Sequence, residues 1–237
     1  MANELIDLVV WDPTTCIEVP PAAPDADLYL LKADHPAALS AAGCLADAGA
    51  RCLNGFPATE AAHDKARVLA RLAAAGLPVP VTRLVGERPE LDTLLEVGPR
   101  FIKPLRGAHG IGASRLGAGE AALAGPGPWL VQEVVGTSNE VVKAYGVGDR
   151  VALRRARFSP GVIDVRRDAM DDPDLRFTGL AVAAARATGL ECFGADFVET
   201  QEGPVLVDVN AFPGYRSVPE AAAWLVAAIL LTMEPSR

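Results

Sequence analysis

The chemistry this sequence offers lies with carboxylates, lysines and glycines. Asp196 sits in Gly194-Ala195-Asp196, and Asp208 and Asn210 sit in Val207-Asp208-Val209-Asn210. The two stretches read as strands of one hairpin, Cys192–Glu199 and Pro204–Val209, closed by Glu202-Gly203. Alternation along Val205–Asn210 puts Leu206, Asp208 and Asn210 on one face, and antiparallel pairing can bring Asp196 beside them. Two carboxylates and an amide oxygen make a hard-oxygen set suited to Mg²⁺. The same residues can also simply end a strand. Lys103 interrupts the apolar run Phe101-Ile102-Lys103-Pro104. A lysine there is either an edge residue or is held to meet an anion. The turn that follows, Gly107-Ala108-His109-Gly110-Ile111-Gly112, can bring backbone N–H groups to phosphate, although glycine turns in hairpins are common.

Other chemistries find no support. There is no G-x-x-x-x-G-K-[ST] loop, no G-x-S-x-G elbow and no H-E-x-x-H pair. Three histidines, His35, His63 and His109, argue against a Ser-His-Asp triad or a His-rich metal site. Cys16, Cys44, Cys52 and Cys192 show no C-x-x-C spacing, which suits reduced thiols in a cytoplasmic protein better than zinc ligands. The 237 residues carry 22 Lys+Arg against 30 Asp+Glu, a net charge of −8. That balance argues against a nucleic-acid partner, yet leaves room for a locally basic site on an anionic substrate. With 50% hydrophobic residues, disorder is excluded as the main state. Met1–Trp11 lacks a basic leader pattern. The longest apolar stretch, Ala221–Met233, falls short of the roughly 20 residues of a spanning helix, so no membrane is expected.

The elements that must hold these residues alternate between strand and helix patterns, an α/β (α+β) arrangement. Strands are expected at Leu5–Val10, Asp27–Leu31 and Arg51–Leu53, and helices at Pro36–Ala48 and Ala61–Ala75. Together they form a small N-terminal α/β unit over residues 1–80. Strands follow at Val81–Leu84, Arg100–Pro104 and Trp129–Val134, then a hairpin of Asn139–Val147 and Arg150–Arg157 around Gly148-Asp149. Asp174–Gly189 reads as a helix. The last helix starts at Ser217-Val218-Pro219-Glu220, which fits a capping box. Its apolar faces suit either core or a dimer contact, so monomer and homodimer both stand.

Taken in order, these pieces resemble the ATP-grasp enzymes, over about Asn54 to Ala222. Asp64-Lys65 with Gly76-Leu77-Pro78-Val79-Pro80 is similar to the segment leading into the central lobe. Phe101-Ile102-Lys103-Pro104 and its glycine loop resemble the lysine strand and the loop that covers phosphate. Leu130-Val131-Gln132-Glu133 resembles the hinge at adenine, and Lys143 matches a basic position after it. Asp196, Asp208 and Asn210 match the metal ligands. The resemblance implies an ATP-grasp fold whose two lobes, 81–128 and 129–237, clamp ATP behind the 1–80 unit. It implies ATP held by Lys65, Lys103, Gly107, Gly110, Gln132, Glu133, Val134, Val135 and Lys143. It also implies Mg²⁺, as two ions or with Mn²⁺ in its stead, on Asp196, Asp208 and Asn210. Arg154 or Arg155 would stabilise the transferring group, with His109 beside it.

Two subfamilies resemble the chain. The glycine loop is similar to that of RimK-like amino-acid ligases, which join a carboxylate to an amine through an acyl phosphate. Ala108-His109-Gly110, Lys143–Asp149 and Asp208–Tyr215 are similar to the ATP-grasp inositol polyphosphate kinases. The acceptor is thus an amino acid, a peptide or a phosphorylated polyol, met by Lys32, His109, Gly214 and Arg216. A polyphosphate pocket needs many cations, and residues 1–80 offer only Lys32, Arg51, Lys65, Arg67 and Arg71. That scarcity favours the ligase, leaving the kinase as the alternative and a non-catalytic ATP-binding module behind both. The chain is short for either subfamily, which implies a reduced acceptor domain.

Overall fold

The structure is a computed structural model. It describes residues 6–14, 18–32, 34–107, 111–137, 139–157, 168–170 and 174–234. Three sheets follow one another along the chain. The first pairs β1 (Tyr29–Leu30) and β2 (Cys52–Leu53) in parallel, joined by helix α1 (Pro36–Asp47). His35 caps α1, its Nδ1 accepting from Ala37 N at 3.2 Å. The strand expected at Leu5–Val10 does not form over its described part. Ile6–Val10 has no regular structure, and Val10 is 87% exposed. An apolar run alone does not make a strand without an edge to pair with.

The single helix expected over Ala61–Ala75 is two helices, α2 (Phe56–Ala62) and α3 (Lys65–Ala74). Asp64 makes the break. Its carboxylate accepts from Ala66 N and Arg67 N at 3.1 and 3.2 Å, so a new helix starts with Lys65 in its first turn. Val68, Leu69 and Leu72 then share one buried face.

The second sheet runs β3-β6-β4-β5, from β3 (Thr82–Val85), β4 (Arg100–Pro104), β5 (Ser114–Leu116) and β6 (Trp129–Glu133). This sheet therefore extends to Glu133, beyond the division expected at 128. One face packs on α4 (Arg88–Val97), a helix not expected from the sequence, through Leu91, Leu95, Ile102, Trp129 and Val131. Leu130 faces the other way and joins Val68, Leu69 and Leu72 in the main core. Alternation puts Lys103, its cross-strand partner, and Gln132 on that same side.

The third sheet runs β11-β10-β7-β8-β9, from β7 (Glu140–Val147), β8 (Arg150–Arg157), β9 (Asp168–Ala169), β10 (Cys192–Thr200) and β11 (Gly203–Ala211). Helix α5 (Leu175–Thr188) covers one face. There Phe177 meets Phe197 edge-on at 5.5 Å between ring centres, among Val142, Ala144, Leu153, Phe193, Ala195, Leu206 and Val209. Helix α6 (Ala221–Met233) covers part of the other face through Ala221, Ala228 and Ile229, and leaves Val226 and Leu231 exposed. Among the described residues no helix is long and apolar enough to cross a membrane.

Asn54 ties the first sheet to the third. Its Oδ1 accepts from Glu191 N at 2.8 Å and Cys192 N at 2.7 Å, and its Nδ2 donates to Cys192 O at 2.8 Å. From the sequence, Asn54 is only the residue that follows the expected strand Arg51–Leu53.

Candidate functional site

The site begins with an irregularity in β11. Asp196 pairs with Asp208, but Phe197 pairs with Leu206, so Val207 is an extra residue in the ladder. This bulge overturns the simple alternation expected along Val205–Asn210. Leu206 points into the core with Val209, while Asp208 and Asn210 face the opposite side. The carboxylate and amide are thereby presented together, as expected, but without Leu206.

Asp208 and Asn210 are half-buried and make no side-chain hydrogen bond or ion pair to another described residue. Such oxygen donors, held on a rigid strand and left unpartnered, fit a hard cation. Asp196 completes the set beside them on β10. Among the described residues no group of three or more His, Cys, Asp and Glu converges, so any metal here rests on two carboxylates and an amide.

Cross-strand pairing extends the row: Asp208 lies opposite Asp196, Asp196 opposite Lys143, and Lys143 opposite Arg154. Directly opposed residues share a face, so four charged side chains line up across β11, β10, β7 and β8. Lys143 Nζ reaches Asp196 Oδ2 at 2.5 Å. Burial pulls the Lys143 ammonium down, but the charge and hydrogen bond of Asp196 outweigh it and hold the pKa above the ordinary lysine value.

Lys103 closes the site from the second sheet. It is 7% exposed, and its Nζ donates to Val207 O at 2.8 Å, the carbonyl of the bulged residue. Burial holds its pKa below the ordinary lysine value. Asp208 and Asp196 pull upward, and Lys65 and Lys143 push down. Lys65 donates to Gly107 O at the start of the glycine loop. Lys103 and Lys143 therefore converge on Asp196 and Asp208 from two sheets, and Lys65 lies close enough to Lys103 for their charges to repel. His109 and Gly110 lie outside the described residues.

The expected hinge, Leu130–Glu133, lies inside β6 and is regular strand. Gln132 is buried, its Nε2 donating to Thr82 Oγ1 at 3.2 Å, and Glu133 N donates to Val81 O at 3.0 Å. Val134 and Val135 lead to Gly136, where φ is +68° and a Cβ would stand 2.6 Å from Val198 Cγ1. Only glycine lets the chain pass so close to β10.

The two candidate arginines part company. Arg154 shares the face of Lys143 and is nearly buried. Arg155 points the other way and is half exposed, 4.0 Å from Glu140 and from Glu199. Beyond Asn210, Phe212 adopts φ +43°, a strained value for a bulky residue. Lys32 Nζ donates to Phe212 O at 3.0 Å. Burial and the nearby Arg216 lower the Lys32 pKa, against the pull of Asp34. Gly214 and Arg216 are exposed on the same segment.

Known proteins share this fold. The RimK domain ATP-grasp protein of Sphaerobacter thermophilus superposes with a TM-score of 0.72 over 93% of this chain and 86% of its own, at 21% identity. D-alanine–D-alanine ligase of Bacillus anthracis, in complex with ATP, gives 0.68 over 87% and 79%, at 16% identity. The chain has the ATP-grasp fold. In sequence it resembles a probable alpha-L-glutamate ligase of Mannheimia succiniciproducens, at 28% identity over 200 residues. That match takes in 76% of this ATP-grasp chain and 66% of the relative, just under two thirds of the relative's length. No family model matches the chain.

Proposed function

We propose that this ATP-grasp chain uses Mg²⁺ and ATP to join a carboxylate to an amine, as a RimK-like amino-acid or peptide ligase. The observation that carries the reading is the convergence of Lys103 and Lys143, from two sheets, on Asp196 and Asp208, with Lys65 near Lys103 and Asn210 on the same face of the strand as Asp208. Catalysis of phosphoryl transfer is mostly positioning and charge neutralisation, and those side chains are of the right kind. The likeness to ligases in sequence supports the reaction class.

In this reading Lys103 and Lys65 neutralise phosphate oxygens, under the glycine loop that starts at Gly107. Gln132, Glu133, Val134 and Val135 flank adenine. Asp196, Asp208 and Asn210 would hold Mg²⁺, which draws charge from the phosphate oxygens when bound. Arg154, on the same face, meets the phosphoryl group as it passes to the acceptor carboxylate. The amine then attacks the resulting acyl phosphate, and phosphate leaves. Lys32, Arg216 and the backbone at Gly214 receive the acceptor, with His109 as a further contact. Two cations suit one carboxylate better than several phosphates, which favours the ligase over the inositol-phosphate kinase. The working units are the N-terminal portion to residue 80, a central lobe and a C-terminal lobe. The protein acts on small molecules in the cytoplasm, alone or as a homodimer.

The test is ATP turnover against pooled amino acids, peptides and inositol phosphates, read by mass spectrometry. The expected result is ADP, phosphate and an amide product that needs both a carboxylate and an amine. A stable phosphorylated alcohol would establish the kinase instead. ATP bound without turnover in any pool would leave only a binding module.

A further inference from the structure

Ser217-Val218-Pro219-Glu220 does not form the capping box its spacing suggests. Helix α6 begins at Ala221, Glu220 is already helical at φ −66° and ψ −20°, and no side chain caps the helix. Ser217 Oγ is buried without a partner. Both residues serve Arg154 instead. Arg154 Nε donates to Ser217 O at 2.8 Å, and its Nη2 lies 3.7 Å from Glu220 Oε1. Nη1 donates to Leu153 O at 2.8 Å. The guanidinium plane is thus fixed from separate directions, which a planar fork of donors permits and a lysine does not.

The gripping segment has a second attachment. Between Phe212 and Glu220 the chain leaves β11 and crosses the face of the third sheet. Tyr215 Oη donates to Gly146 O at 2.7 Å on the way, and Val218 and Ala221 pack against Tyr145 and Ala152. Gly214 and Arg216 lie on this same crossing. One segment therefore joins the strand of Asp208 and Asn210, the expected acceptor contacts, and the far end of the charged row.

The geometry points to Glu220, together with the Ser217 carbonyl, as the positioning group of Arg154. It sets the guanidinium for the phosphoryl group in flight and couples that setting to the acceptor segment. The inference rests on the proposed role of Arg154. The Glu220 side chain is 47% exposed and its pair with Arg154 exceeds hydrogen-bond distance, so it adds little to stability. Its effect is on orientation, which matters most when charge is being transferred.

The experiment is calorimetric titration of Mg·ADP with and without fluoroaluminate, a mimic of the transferring phosphoryl group. The wild-type protein binds Mg·ADP more tightly when fluoroaluminate is present. In Glu220→Gln that gain falls about tenfold, as expected when a guanidinium loses the neighbouring charge that orients it. Its affinity for Mg·ADP alone and its Tm stay unchanged. Glu220→Asp, which keeps the charge, retains more of the gain. Arg154→Lys loses the gain, and adding Glu220→Gln to it changes nothing further. No gain in the wild type, or full gain in Arg154→Lys, overturns the role of Arg154 and this inference with it. A gain lost in Arg154→Lys but intact in Glu220→Gln overturns the positioning role alone. So does an equal cost of Glu220→Gln in both backgrounds, or a gain retained better by Glu220→Gln than by Glu220→Asp.

Discussion

Lys103 offers the sharpest separation between a structural and a ligand-binding role. Lys103→Met nearly keeps the volume of the side chain, though it is one heavy atom shorter, and removes its charge. For the fold, the change loses one hydrogen bond, Nζ to Val207 O at 2.8 Å, worth about 1 kcal/mol. It also relieves the burial that holds the ammonium below its ordinary pKa, so net stability shifts by no more than about 1 kcal/mol in either direction. For ligand binding the balance is one-sided. A lysine about 4 Å from a phosphate oxygen gains about 4 kcal/mol at an effective dielectric near 20. Desolvation leaves roughly 2–3 kcal/mol of that, a loss of about 30- to 150-fold in Kd for Mg·ATP. The pH dependence supplies a further check. The unfolded lysine keeps its proton to about pH 10.4, whereas the folded one gives it up earlier, chiefly because it is buried. Between those points the unfolded chain binds more protons, so wild-type stability rises with pH through that window. Lys103→Met lacks that rise, so the stability difference between the two moves in the wild type's favour as pH approaches about 10. Urea unfolding across pH and titration calorimetry with Mg·ATP measure both effects. A variant that unfolds much more easily yet binds Mg·ATP normally would refute the ligand-facing role.

Other substitutions test the remaining parts. Asp208→Ala should abolish Mg²⁺-dependent ADP formation while shifting stability by less than about 0.5 kcal/mol, since among the described residues Asp208 has no hydrogen-bonded partner to lose; full turnover in this variant would sink the metal assignment. Asn54→Ala strands two buried N–H groups and a carbonyl at Glu191 and Cys192, and should cost roughly 3 kcal/mol in urea unfolding. A loss under about 1 kcal/mol would mean that water or a backbone shift replaces those bonds. Gly146→Ala sets a Cβ 2.1 Å from the Phe193 ring, and should lower Tm through about 1–3 kcal/mol of overpacking; an unchanged Tm would contradict the packing at β7 and β10.

The candidate site residues are more legible in the sequence than the geometry that unites them. Asp196, Asp208, Lys103 and Lys143 stood out because charged residues inside apolar strands need a reason, and the structure brings them together. What stayed hidden depends on contacts between residues far apart in the chain. Asn54 reads as a turn residue, and only the approach of Cys192 makes it a tie between sheets. The Ser217–Glu220 spacing matches a capping box, and only the arrival of Arg154 redirects it. Asp64 carries a local signal that the helical periodicity masks: as a cap, it divides α2 from α3 and puts Lys65 in the first turn. Leu5–Val10 has the composition of a strand, but composition cannot supply a neighbouring edge.

The bulge at Val207 shows how little irregularity the site requires. A regular β11 would keep Leu206, Asp208 and Asn210 on one face, as period-2 alternation demands. Either the leucine would leave the core or the two polar residues would enter it. The extra residue removes that conflict, turning Leu206 inward beside Phe197 while Asp208 and Asn210 face out. It also disrupts the ladder at Val207, whose carbonyl accepts from Lys103 of the second sheet. One inserted residue thus aims the oxygen donors and anchors the lysine that faces them. The two sheets are linked at the proposed phosphate site, through Lys103 Nζ and Val207 O.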